Sequence, residues 1–195
     1  MRESSIENIR GILNEDPSVH DGAAYLLRLC EASCSSPVWE KLHSLDFDAD
    51  YQTLTTWLSE LLTRDPIPTS IRGLWFGIFE RAMDDGSSSP CLYLSGSERY
   101  DGSMSEFEWA GDQDYLPDDY YVASGVVDAI YHAAVMENPS TLDVAQHVLI
   151  LGYVCVVVSN WTRSDLCETL RGSAPFRAVA AGFDDGDGLL IDTIR

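Results

Sequence analysis

IRGLWFGIFE (residues 71–80) and CLYLSGSERY (residues 91–100), joined by DDGSSSP, are the two arms on which the fold turns. Both arms are rich in β-branched, aromatic and leucine residues and the joint is turn material, so the stretch predicts a strand pair. In the first arm Ile71, Trp75 and Phe79 alternate onto one face, and Leu74, Phe76 and Ile78 onto the other. A strand apolar on both faces is buried on both, which places it at the centre of its sheet. Gly73 and Gly77 stand two residues either side of Trp75 on its own face. A missing side chain there admits a helix or a large ring close to the backbone.

Upstream, the apolar positions follow the helical period. Ile6, Ile9, Ile12 and Leu13 predict a short first helix that stops before Asp16-Pro17. Ser18, with Asp21 three residues on, has the form of a capping box ahead of Val19, Ala23, Leu26, Leu27, Cys30 and Cys34. Ser36-Pro37 opens another short helix through Val38, Leu42 and Leu45. Asp50 starts a pattern through Leu54, Trp57, Leu58, Leu61 and Leu62. Asp65-Pro66-Ile67-Pro68 ends it, because proline cannot continue a helix and disfavours helical geometry in its predecessor. That is the one internal boundary: residues 1–65 form a helical subdomain or, more simply, a layer over the sheet of a single domain spanning 1–195.

Downstream, Ala123, Val126, Val127, Ile130, Tyr131 and Ala134 predict an amphipathic helix, with Asp118, Asp119 and Ser124 suited to its start. Residues 141–161 are apolar nearly all round and predict a helix buried in the core. FRAVAAGF, DDGDG and LLIDTIR predict a C-terminal hairpin. The expected class is α+β: a mostly antiparallel sheet centred on residues 71–79 and 91–97, with a C-terminal hairpin, covered by helices that include the N-terminal third.

Composition narrows function by exclusion. The 32 acidic residues outnumber 12 basic ones for a formal net charge of −20. Such a field repels phosphates, which argues against nucleic acid and anionic membranes and favours a basic partner. Five cysteines, an odd count with no CxxC pair, predict reduced thiols in a cytoplasmic protein. The N-terminal MRESSIENIR lacks the apolar stretch of a secretory signal, and the longest apolar run, residues 148–158, is shorter than a bilayer span.

No motif demands chemistry. Counted as an EF-hand from Asp184, DDGDG puts glycine at the third ligand position and lacks the closing glutamate, so a turn explains it. The four histidines form no HExxH, and His132 four residues after Asp128 reads as a helix-surface contact. Ser95-Gly96-Ser97 lacks the surroundings of a nucleophile elbow. Neither cofactor nor metal is expected, and no catalytic residue is nominated.

One segment stands out. Residues 98–121, ERYDGSMSEFEWAGDQDYLPDDYY, hold eight acids, one base and six aromatics. Rings anchor interfaces at low entropic cost while acids steer a basic partner. The candidate partner-binding residues are Tyr100, Asp101, Glu106, Glu108, Trp109, Asp112, Asp114, Tyr115, Asp118, Asp119 and Tyr120. The same residue types on a loop tethered by its aromatics would serve as scaffold.

LWFGIF, LYLSGSERYD, EWA with DYLPDDYY, and AGFDDGDGLL, spread over residues 71–195, resemble uncharacterised small bacterial proteins, some like immunity proteins of toxin–antitoxin and polymorphic-toxin loci. The resemblance implies a cytoplasmic protein that neutralises a cognate toxin by stoichiometric binding, without catalytic residues. The rival expectations are a small carboxylate-dependent enzyme and an acidic assembly or regulatory subunit.

Overall fold

β1 (Gly73–Ala82) occupies the middle of the sheet, as a strand apolar on both faces must. In the computed structural model, which describes residues 2–82, 86, 88–100, 107–184 and 187–195, the sheet has five strands in the order β3-β2-β1-β4-β5. β2 (Ser88–Ser97) pairs antiparallel with β1, Gly77 opposite Tyr93, and carries the short edge strand β3 (Tyr121–Ala123) on its far side. β4 (Arg177–Phe183) lies parallel to β1, and β5 (Gly188–Ile194) closes the other edge as the antiparallel partner of β4. The architecture is α+β, the sheet mixed, with β1·β4 its parallel pairing. Strand β2 begins earlier than expected: Ser88, Ser89 and Pro90 pair with Ala82, Arg81 and Glu80 instead of belonging to the joint. Pro90 is tolerated because its parity is that of Leu94 and Gly96, whose N–H groups point away from β1, and β3 does not extend past Cys91.

The two faces of β1 feed two cores. Leu74, Phe76 and Ile78 join the larger, which runs from Ile9 through the helices to Ile194. Trp75 joins the smaller, with Tyr93, Tyr100, Trp109, Ala178 and Ala180, and Phe79 packs against it. Ile71 departs from expectation: it precedes the strand proper and lies in the larger core instead of beside Trp75.

Helices α1 (Arg2–Leu13), α2 (Val19–Ser33), α3 (Val38–Leu42) and α4 (Phe47–Arg64) make the N-terminal third. Ser18 caps α2 by accepting from the Asp21 N–H at 3.1 Å. α4 starts earlier than Asp50: Asp46 is its cap, accepting from the Ala49 N–H at 2.9 Å. Asp50, one turn inside, is a junction. Its carboxylate accepts from the Ser124 hydroxyl at 2.7 Å, the Tyr153 hydroxyl at 2.8 Å and the Val126 N–H at 3.3 Å. The helical third thus shares the larger apolar core, and through Asp50 a partly buried polar contact, with elements after the DPIP boundary.

α5 (Gly125–Val135) is capped by Ser124, and His132 meets Asp128 at 3.3 Å on its surface. α6 (Pro139–Val144), a π turn (Ala145–Ile150) and α7 (Leu151–Thr162) form one helix that is long and apolar enough to cross a membrane, with 83% of its most apolar window buried inside the protein. α7 packs on α2, β4 and β5. The helix is longer than its apolar run because α6 and the π turn extend it. α8 (Leu166–Arg171), β3 and the π turn have no counterpart in the expected elements.

Arg177, at the start of β4, is fully buried and donates to the carbonyls of Ile71, Ile67, Pro68 and Leu170. It clasps the DPIP turn, the approach to β1 and α8. Burial, with the Arg72 charge second, lowers its pKa to about 10.

Candidate functional site

After β2 the chain leaves the sheet and returns to cover the smaller core. A 3-10 turn, Phe107–Gly111, lays Trp109 against Trp75 and Tyr100, with ring centroids 6.4 and 5.3 Å apart. Trp109 reaches the backbone of β1 because Gly73 has no side chain to meet it, and Tyr93 lies over Gly77 in the same way. Further along, Tyr115 exchanges both backbone hydrogen bonds with Gly96, at 2.8 and 3.0 Å, which pins the cover to β2. Its ring turns to the larger core, where its hydroxyl donates to the Asp65 carbonyl at 2.7 Å. Burial, then the Asp65 charge, pushes the Tyr115 phenol up.

Tyr100, Trp109 and Tyr115, the rings expected to anchor a partner, are therefore 6%, 1% and 5% exposed. Their area is spent on the sheet. Tyr120 is half-buried, edge-on to Tyr93 and Tyr121. The acids divide by task. Asp112 pairs with Arg99, and Asp114 accepts from the Glu98 N–H at 2.9 Å. Asp119 lies 3.4 Å from Arg64, which also donates to the Asp118 carbonyl. Glu98, Glu108, Asp114, Asp118 and Asp119 are exposed. Asp101 and Glu106 lie outside the described residues.

Two cavities open near the end of β4, where Phe183 pairs with Ile78 of β1. One, of about 330 Å³, lies beneath the 3-10 turn and is walled by Trp75, Tyr93, Phe107 and Phe183, with exposed Glu108 and Asp184 in its lining. The other, of about 290 Å³, lies on the helical face and draws Glu80, Tyr131 and His147 to the same end of the sheet. Phe183 and Asp184 line both. Asp184 accepts from the Tyr93 hydroxyl at 2.7 Å, and burial with that bond raises the Tyr93 phenol.

The π turn aims His147 at the second cavity. Its Nε2 is 3.5 Å from Asp143 and its Nδ1 3.7 Å from Asp187, with Phe183 edge-on at 5.9 Å. Sequence reasoning missed this cluster: Asp143 and His147 stand at i, i+4, as Asp128 and His132 do, but Asp187 joins them only when the hairpin folds back. π turns do recur at functional sites, but they are not visible in residue types. Among the described residues no group of three or more His, Cys, Asp or Glu side chains is arranged to hold a metal ion. All five cysteines are free, and burial raises the thiols of Cys30, Cys91, Cys155 and Cys167, the opposite of what a thiolate nucleophile needs.

Comparison of the chain with family models, curated proteins and solved structures finds no match.

Proposed function

We propose that the protein is a cytoplasmic, stoichiometric binder of a basic protein, acting as an immunity-type inhibitor of a cognate toxin. The observation that carries this reading is the two-sidedness of the cover: its rings turn inward and its carboxylates outward. Glu98, Glu108, Asp114, Asp118 and Asp119 face solvent, while Arg99 and Arg64, the bases beside them, each sit against an aspartate. An acidic face accelerates encounter with a basic partner. The resemblance of residues 71–195 to immunity proteins supplies the kind of partner.

The test is the product of the adjacent gene, purified separately. A one-to-one complex is expected, with an association rate that falls steeply with salt and slows when Glu98, Glu108 and Asp118 are changed to lysine. Co-expression should abolish the neighbour's toxicity. A neighbour that is neither toxic nor bound, or a complex indifferent to the three reversals, overturns the reading.

A second reading, a small enzyme, draws on the His147 cavity, where an imidazole flanked by Asp143 and Asp187 faces Glu80 and Tyr131. His147→Gln discriminates the two: it leaves neutralisation of the partner intact if the protein is a binder.

A further inference from the structure

The cavity under the 3-10 turn has two properties that point the same way. Its walls are ring surfaces: Trp75 and Phe107 have centroids 5.3 Å apart at 47°, and Tyr93 and Phe183 complete the enclosure. Its charged lining residues are the carboxylates of Glu108 and Asp184, with Gln113 as a neutral donor and acceptor. Among the described residues no lysine or arginine lines it. Ring faces carry negative potential, and a cation held within about 6 Å of a centroid is stabilised further when partly desolvated. The same aromatic face already seats one cation, where the Arg81 guanidinium lies 5.3 Å from the centroid of Tyr121, the cross-strand neighbour of Tyr93. At about 330 Å³ the cavity is at the small end of ligand pockets, roughly 300–1,000 Å³, which suits a single side chain.

We propose that this cavity is a receptor for one cationic side chain, an arginine or lysine, presented by the basic protein partner. The rings hold the charge and the methylene stem, and Glu108 and Asp184 pair the head group. Asp184 is held in place by the Tyr93 hydroxyl. The source is a protein because the acidic face continues past the cavity along Glu98 and Asp114, further than a lone small cation can use. This inference rests on the reading of the cover as a partner surface and deepens it.

The experiment titrates the full chain with N-acetyl-arginine amide and, as neutral isostere, N-acetyl-citrulline amide. The readout is the indole resonance of Trp75, assigned with Trp75→Phe. Saturable binding on the order of millimolar is expected for the arginine probe, and none for citrulline. Glu108→Gln and Phe107→Leu should each weaken the arginine probe about three- to tenfold, in line with lost charge or cation–π attraction. Glu40→Gln and Glu60→Gln, exposed acids on other elements that remove the same charge, should leave it unchanged. Equal responses to the two probes, or equal weakening by all the acid variants, overturn the receptor. So does agmatine binding tenfold tighter than the arginine probe, which would make the site one for a free amine. The parent reading fails separately: probe binding with a neighbour-gene partner that ignores the acid reversals keeps the cavity and removes its protein source.

Discussion

Tyr93 stands directly across the β1–β2 ladder from Gly77, and its ring fills the space that a side chain at Gly77 would take. The pair is one device: a glycine that removes its own Cβ so that a phenol can lie on the backbone and reach Asp184. Gly77→Ala should destabilise by about 1–3 kcal/mol through overpacking. The cost should shrink in a Tyr93→Ala background, since the clash is then gone. Urea melts of the four proteins measure it, and equal costs in both backgrounds refute the pairing.

Trp109 belongs to the fold before it belongs to any interface. Trp109→Ala should cost about 3–5 kcal/mol, the usual range for emptying a buried ring site. Reversing Glu98, Glu108 and Asp118 to lysine should instead move stability by no more than about 0.5 kcal/mol per site. Thermal melts separate the outcomes, and a Trp109→Ala protein as stable as the parent would return that ring to the list of partner anchors.

Asp50 joins α4 to α5 and α7. Asp50→Ala leaves the Tyr153 and Ser124 hydroxyls and the Val126 N–H without this acceptor, and a loss of about 2–4 kcal/mol is expected. Tyr153→Phe should cost less, about 1 kcal/mol, and the two losses should not add. Denaturation midpoints of the single and double variants decide it.

Arg177 holds four carbonyls with one planar group. Arg177→Met should cost more than ~3 kcal/mol because buried acceptors are left unpaired. Arg177→Lys should rescue little, since a compact ammonium cannot reproduce the guanidinium fork. Limited proteolysis provides a local check: cleavage near residues 65–70 should rise in both variants ahead of global unfolding.

Alkaline pH should unfold the protein. Burial raises the phenols of Tyr93, Tyr115 and Tyr153 above the ordinary value of 10.0. A group raised in the folded state stabilises fully below its unfolded pKa and loses that contribution as pH climbs past it, because the unfolded chain releases the proton first. Arg177, lowered to about 10, acts in the opposite sense above that pH, but it is one group against these three phenols, the Tyr51 phenol and the thiols of Cys30, Cys91, Cys155 and Cys167, all raised by burial. Stability should therefore begin to fall above about pH 8, as unfolded thiols ionise, and fall more steeply beyond about pH 10, with phenolate absorbance from Tyr93, Tyr115 and Tyr153 appearing only as the chain unfolds. Phenolate absorbance that rises with the fold intact would contradict it.

Much of the architecture was legible in residue order. The period of 3.6 in Val19, Ala23, Leu26 and Leu27 and the period of 2 in Leu74, Phe76 and Ile78 are local signals, because a face must be apolar to be buried whatever covers it. Ser18 and Ser124 act as caps through hydroxyls three residues from their donors, and Gly73 and Gly77 announced close approach before the approaching rings were known. Tertiary structure alone decided the rest. The parallel pairing of β4 with β1 follows from a connection of about ninety residues that no local pattern encodes. Whether the rings of residues 98–121 faced inward or outward depended on what lay beneath them, and the aromatic face of the sheet took Tyr100 and Trp109. Asp50 with Tyr153, Arg177 with the DPIP carbonyls, and His147 with Asp187 are pairs distant in sequence. Acids, hydroxyls and amides are common in any chain, so only the folded backbone selects which of them meet.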